Sequence, residues 1–367
     1  MKLLNIEVTS RGEVFHSRYQ IFRDNGADVY YLTASSEISP WPGFAGVRLM
    51  ADQSIKTAIA AARAWHAAVG FDAIITTDEA SVIATAAISE ALSLPGLTLE
   101  SARKSRNKYE MRLAHQQHNA PHPPFRLCET LAQALEAADT IGYPVIVKPT
   151  LGGNAEHVYL IRDAASLRQR FPQAYAANQA YSYCQHEAQE IDLGPDAMLV
   201  EGYLAGSEHC VEAWVRDGKA HIGAVADRIA AELDIFDNDL YRTPTTLNPE
   251  QMALLQQALQ AGVTAQGITR GVVHAEFRFH QGRPFILEIA ARVGGGSLYK
   301  MARLSYDYCP ITAALRIAAG QPLTEKPMRA TGRVAVGLTM LCAPGKIKSI
   351  QVPERVTQHP DLFNLGL

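Results

Sequence analysis

The chain is poor in cysteine. Its five cysteines, Cys128, Cys184, Cys210, Cys309 and Cys342, are scattered, odd in number and form no CxxC pair. That pattern excludes a disulfide framework and a zinc finger or ribbon, and it fits reduced thiols in a cytoplasmic protein. Long apolar runs are also missing. The most alanine-rich stretch, Thr57 to Val69, is too short to span a bilayer and carries Arg63 and His66. The opening residues, MKLLNIEVTSRGEV, lack the apolar core of a signal peptide. Charge of one sign is not in excess, because 34 Lys and Arg against 37 Asp and Glu leave a net of −3. No global basic field therefore exists for nucleic acid, and any anionic ligand must meet local positive groups. There is no GxxxxGK[ST] loop and no GxGxxG fingerprint. No internal repeat or low-complexity segment occurs either.

What is present suits a globular chain of two or three domains, with 367 residues, 47% of them hydrophobic and 19% charged. Residues 3–8, 28–33 and 71–76 read as short buried strands. Helical patterns lie between them, clearest from Ser54 to Val69, and an Ala-rich helix follows Asp78-Glu79 as far as Leu94. Strand and helix in alternation predict an α/β fold with a parallel sheet. A helix is expected over Ser101 to Asn119, before the Pro-rich link at 121–124. A second block follows, with a helix from Thr130 to Ile141, a strand ending at Lys148-Pro149, a tight loop at 150–154 and a return strand to Ile161. Later come a helix over 166–177, extended runs at 197–203 and 208–215, and a turn at Asp217-Gly218 into 220–226. Helices from Pro249 to about Gln266 and from about Tyr306 to Ala319 and a last extended run from Val334 to Leu341 complete the pattern.

The stretch from Val273 to Gly296 is the richest in chemistry. It alternates with period two around a turn near Gly282. Val273, Ala275, Phe277 and Phe279 form one face of the first strand, and His274, Glu276, Arg278 and His280 form the other. On the return strand Phe285, Leu287 and Ile289 are expected on the apolar face. Such a hairpin sets Glu276 opposite Glu288. Two carboxylates that close repel unless a positive charge joins them. A divalent cation satisfies this, and hard oxygen ligands favour magnesium. A solvated face with ion pairs to Arg278 and Arg292 satisfies it equally.

Five further groups stand out. Lys148 beside Gly152 and Gly153 reads either as a phosphate site, with loop amides and one point charge, or as a hairpin lysine reaching solvent. Glu201 ends an apolar strand leading to Leu204. Glu208 and Glu212 share one strand face, suited to ribose hydroxyls or a metal, or to a solvated edge. Arg228, Arg242 and the segment 234–244 form a charged, aromatic-rich loop between strand and helix, where specificity commonly resides. Either arginine could clamp a substrate carboxylate or lie on the surface. Gly294 to Gly296 lets backbone approach a ligand.

The order Lys108, Lys148 with its glycine loop, Glu201, Leu204, Glu208, Glu276, Glu288 and Arg292 resembles the ATP-grasp superfamily, over residues 1 to about 345. The resemblance implies an N-terminal parallel-sheet domain (residues 1–100) before a two-part ATP-grasp fold, with subdomains at 101–205 and 206–330 and a short closing segment at 331–367. It implies that Lys108, Lys148, Gly152 and Gly153 meet ATP phosphates, that Glu201 and Leu204 meet adenine and that Glu208 meets ribose. Glu276 and Glu288 would hold magnesium or manganese, and Arg292 would steady the transferred phosphoryl group. Arg228, Arg242, Gly295 and Gly296 are candidates for substrate contact, and His274 for a general base. Many relatives carry Glu-Ile-Asn-x-Arg where this chain reads Glu288-Ile-Ala290-Ala-Arg292. That form is similar to the amino-acid ligase branch, the bacilysin-type dipeptide ligases. The implied activity is ATP-dependent joining of a small carboxylic acid to an amine, releasing ADP and phosphate. A biotin-carboxylase-like or purine-pathway enzyme is the alternative, and a nucleotide-binding protein without ligase activity is a third. The resemblance also admits a homodimer.

Overall fold

In a computed structural model, the structure describes residues 1–8, 15–34, 41–153, 155–180, 191–230, 239–323, 328–338 and 348–362. Three sheets organise them. Strands β1 (Lys2–Glu7), β2 (Asp28–Thr33), β3 (Gly46–Leu49) and β4 (Ala73–Ile75) form a parallel sheet in the order β3-β2-β1-β4. Helix α1 (His16–Asp24) lies between β1 and β2. Helix α2 (Ile55–Val69) begins where the Ser54 side chain accepts from the Thr57 amide and ends at Gly70, which has φ +71°. Helix α3 (Val82–Leu92) follows β4 after one 3-10 turn over Glu79–Ser81.

The helix expected over 101–119 is two helices, α4 (Leu99–Arg106) and α5 (Lys108–Gln117). Asn107 breaks it by taking ψ 114°, and its side chain then accepts from the Tyr109 and Glu110 amides. Asn is a strong N-cap, so the competing local hydrogen bonds outweigh a continuous helix. The break makes Lys108 the first residue of α5.

The second sheet is antiparallel and runs β5-β8-β6-β7, built from β5 (Phe125–Cys128), β6 (Val145–Pro149), β7 (Tyr159–Ile161) and β8 (Met198–Gly202). Helices α6 (Leu131–Ile141) and α7 (Ala164–Ala180) cover it over a core that includes Val145, Val147, Phe171 and Val200. The third sheet has six strands in the order β13-β12-β9-β10-β11-β14. Its strands are β9 (Glu208–Arg216), β10 (Lys219–Ala230), β11 (Asp239–Thr243), β12 (Gly271–His280), β13 (Arg283–Ala290) and β14 (Ala335–Leu338). β14 pairs with β11, so residues 335–338 lie on the edge of this sheet. Helix α8 (Pro249–Gln266) has a capping box on Asn248 and packs on one face, against Val211, Val273, Phe277 and Ile289. Helices α4 and α5 also pack on α8, and α5 reaches the second sheet where Tyr109 meets Phe125 of β5 edge-on. The helix expected from Tyr306 starts later, as α10 (Pro310–Ala318), and α9 (Leu298–Tyr306) precedes it.

The hairpin β12–β13 holds a correction. Glu276 does face Glu288, but Phe277 faces Ile286, so Leu287 is an extra residue in a β-bulge. Beyond the bulge the parity changes. Ile286 and Ile289 are fully buried, whereas Phe285 and Leu287, expected in the core, are only half-buried. Burying each such side chain stabilises the fold by roughly 1.5–3 kcal/mol. Slipping the register by one would exchange that for buried Glu276 and Glu288, so the charged face is fixed toward the second sheet.

Candidate active site

A cleft of ≈ 430 Å³ lies between the second and third sheets. It collects Lys108, Lys148, Gly152, Gly153, Glu201, Leu204, Glu208, Arg228, His274, Glu276, Glu288, Arg292, Gly295 and Gly296. These are the residues to which the resemblance gives a role, with one exception. Arg242 is placed opposite Asp227 and lies 3.4 Å from its carboxylate, on the sheet face away from the cleft. Its neighbour Tyr241, opposite Arg228, lines the cleft instead. Of the charged loop 234–244, residues 234–238 lie outside the described residues, as do Asn154 and the part of the last extended run beyond 338.

Every cation in the cleft is matched to a carboxylate. Lys148 Nζ lies 2.7 Å from Glu201 Oε2, and Arg112 Nε lies 2.6 Å from Glu201 Oε1. Both oxygens of Glu201 are thereby engaged, and its carboxylate ties Lys148 to Arg112. Burial alone would raise the Glu201 carboxyl, but Arg112 first and Lys148 next hold it below the usual range. Burial also lowers Lys148, against the pull of Glu201. Arg112 further donates to the Leu287 carbonyl at 2.7 Å, tying the bulge to α5. Arg112 was not identified from the sequence, although its i+4 spacing from Lys108 puts both on one helix face.

Glu208 has two arginine partners. Arg228 lies 2.6 Å away, and Arg278 is in contact while also donating to the Leu204 carbonyl at 3.2 Å. Lys108 Nζ sits 3.3 Å from Glu288 and donates to the Gly152 carbonyl at 3.0 Å. Ala155 and Glu156 of the same loop also line the cleft. Around Glu276 stand Arg228 at 3.9 Å and His274 Nε2 at 3.6 Å. Burial opposes its charge, but the His274 imidazole beside it and the charge of Arg228 keep the carboxyl well below its ordinary range.

His274 is not suited to the general-base role expected of it. Its Nδ1 is 2.7 Å from Glu212 Oε1, and although burial disfavours the charge, Glu212 wins and raises the imidazole to about 9. An imidazolium donates protons near neutrality. Glu212 also accepts from the Gly294 amide at 3.0 Å. A Cβ on Gly294 would lie 2.1 Å from Glu212 Oε1, which is the reason glycine stands there.

Arg292 is gripped from the N-terminal sheet. Its Nε bonds Glu79 Oε2, while Glu79 Oε1 takes Arg106 Nη1 at 2.6 Å. Burial opposes the charge on Glu79, but Arg292 and Arg106 bring its carboxyl down to about 2. Glu79 follows the carboxyl end of β4, where ligands of parallel sheets gather, and that position was its only signal in the sequence.

Comparisons with known proteins agree with this geometry. The family model for the ATP-grasp domain matches residues 141–300, and the one for the ATP-grasp N-terminal domain matches residues 31–96. The chain thus carries ATP-grasp domains over these two stretches. Human carnosine synthase 1 is 27% identical over 273 residues, or 71% of this chain and 32% of that protein. The L-arginine-specific L-amino acid ligase of Bacillus subtilis is 24% identical over 283 residues, or 76% of this chain and 65% of that protein. The chain thus spans from about a third to about two thirds of the length of these relatives. The crystal structure of an L-amino acid ligase from Bacillus licheniformis superposes with a TM-score of 0.74 at 22% identity, covering 91% of this chain and 78% of that one. Among the described residues, no helix is long and apolar enough to cross a membrane.

Proposed function

We propose that this chain is an ATP-dependent carboxylate–amine ligase. It joins an amino acid, or an amino-acid-like acid, to an amine through an acyl phosphate and releases ADP and phosphate. The observation that carries the reading is the convergence of Lys108, Lys148, Glu276, Glu288 and Arg292 on one cleft. Relatives named as amino acid ligases support it.

In this reading the triphosphate lies along Lys148 and Lys108, beside Gly152 and Gly153. Adenine lies against Ile146, Leu204 and Leu287, which line the cleft near Glu201. Glu208, gripped by Arg228 and Arg278, is held at the ribose end. Glu276 and Glu288 face each other across β12–β13, open on the cleft and offer hard oxygens, so they fit magnesium and would accept manganese. Buried Ala290, opposite His274, adds no side-chain oxygen. The metal, when bound, neutralises charge on the phosphates.

A carboxylate is a poor acyl donor, and phosphorylation by ATP converts it into one that an amine can attack. As the phosphoryl group moves, Lys108, Lys148 and Arg292 stabilise its equatorial charge. Arg292 is aimed by Glu79, and the backbone of Gly295 and Gly296 borders the acyl end of the cleft. Its partners in this reading are a small-molecule carboxylate and an amine. A cytoplasmic location and a homodimeric state complete the proposal, and light scattering on the purified chain tests the latter.

The test is ADP release with a panel of amino acids, singly and in pairs, against bicarbonate. Release that requires an amino acid and an amine supports the ligase. Release with bicarbonate alone moves the chain to the carboxylase reading.

A further inference from the structure

The geometry points to a second kind of metal site on the charged sheet face, at which Cys210, His274 and Glu276 bind a thiophilic divalent cation of the zinc class. On the β9–β12 ladder Cys210 is the direct partner of Glu276, and Glu212 the direct partner of His274. The Cys210 sulfur, an imidazole nitrogen of His274 and a Glu276 oxygen all lie within 4.8 Å of one another. Four-coordinate zinc holds sulfur at about 2.3 Å and nitrogen or oxygen at about 2.0–2.2 Å, so the three atoms need approach by only about 1 Å.

The supporting contacts are those of a built site. Glu212 takes the His274 Nδ1 at 2.7 Å, and Glu212 is itself fixed by the Gly294 amide at 3.0 Å. The other ring nitrogen, Nε2, is turned toward Glu276 Oε1 at 3.6 Å. A carboxylate that orients a ligating histidine from its far nitrogen is the usual second layer of a zinc site. Cys210 is buried at 2% exposure beside Ala226, Leu298 and Met301, which shields it from oxidants. His274 and Glu276 line the cleft, so the fourth position opens on it.

The donor set selects the metal. Magnesium takes oxygen ligands and avoids thiolate, whereas a sulfur–nitrogen–oxygen set suits zinc or cobalt. On binding, the thiol proton and the Nε2 proton leave to water, and nothing is oxidised or reduced. Glu276 belongs both to this set and to the magnesium pair with Glu288, so the two occupancies exclude each other. Zinc therefore inhibits the ligase, a consequence that rests on the proposed function, while the binding itself does not.

The test is a titration of the metal-free chain with Co²⁺ alone. The expected result is a near-ultraviolet thiolate-to-cobalt absorption band that saturates at one equivalent and is displaced by Zn²⁺. Cys210→Ala abolishes the band, Cys309→Ala keeps it, and Glu212→Gln weakens binding by about 10- to 100-fold. A wild-type chain with no such band overturns the inference, whatever the variants do. So does a band that survives Cys210→Ala or vanishes in Cys309→Ala. Where ADP release is found, Zn²⁺ suppresses it in the wild type, and Cys210→Ala requires at least about tenfold more zinc. Zinc inhibition unchanged in Cys210→Ala also overturns it. If no substrate gives ADP release, the ligase reading fails while the cobalt titration still decides this one.

Discussion

Lys108 and Glu288 form an ion pair of 3.3 Å across 180 residues of sequence, joining the start of α5 to β13. In the proposed function these two groups serve different partners, the lysine a phosphate and the carboxylate a metal. Binding Mg-ATP therefore exchanges one internal pair for two external ones. Either ligand alone leaves one member uncompensated in a partly buried cleft. ATP and magnesium should consequently bind cooperatively, with nucleotide affinity at least about 10-fold weaker in chelator, measured by calorimetry. Lys108→Met should lower turnover by about 100-fold, the scale of one lost electrostatic donor.

The grip of Glu79 on Arg292 predicts a split in kinetic constants. Glu79→Gln keeps the shape but removes a charge-assisted bond worth about 1.5–3 kcal/mol. Arg292 then loses its aim at the moving phosphoryl group. The expected result is kcat lower by about 10- to 100-fold with the KM for ATP within about threefold. Steady-state kinetics at saturating acid and amine measure both. A change in KM alone would assign Glu79 to binding.

Gly294 is predicted to tolerate no side chain. Gly294→Ala drives a methyl into Glu212 and to within 2.9 Å of His274 Nδ1, both buried and mutually bonded. The expected cost is about 1–3 kcal/mol of stability, read from denaturant unfolding, together with loss of activity.

Much of this was legible in the sequence because it rests on periodicity. The alternation in β12 fixed Glu276 opposite Glu288 without any tertiary information, and strong caps at Ser54, Thr130 and Asn248 marked helix starts. What escaped depends on contacts distant in sequence or on single-residue irregularities. The bulge at Leu287 inserts one residue, and alternation alone cannot locate it. Arg242 and Arg228 look alike in a charged segment, and only the β10–β11 register sends them to opposite faces. Glu201 and Glu208 both line the cleft, but their arginine partners come from α5, β10 and β12, and no local spacing reveals that pairing.

Glu7 predicts a pH dependence of stability. It is fully buried at the end of β1, and burial raises its carboxyl to about 7 against hydrogen bonds from Tyr19 at 2.7 Å and Tyr31 at 2.8 Å. Its folded pKa thus exceeds the unfolded 4.5. The protonated form favours the fold, a contribution fully present below pH 4.5 and lost as pH rises through about 7. Glu7→Gln should remove that loss. Relative to wild type, the variant should gain up to about 3 kcal/mol between pH 4.5 and pH 8 in paired unfolding experiments.

The central claim is activation of a carboxylate by ATP, and heavy-oxygen labelling tests it most directly. The amino acid that supports ADP release is supplied with both carboxylate oxygens labelled, together with ATP, magnesium and the amine, and the released phosphate is weighed by mass spectrometry. The account predicts one labelled oxygen in each phosphate, carried over from the acyl phosphate. Unlabelled phosphate formed alongside the amide product would contradict it.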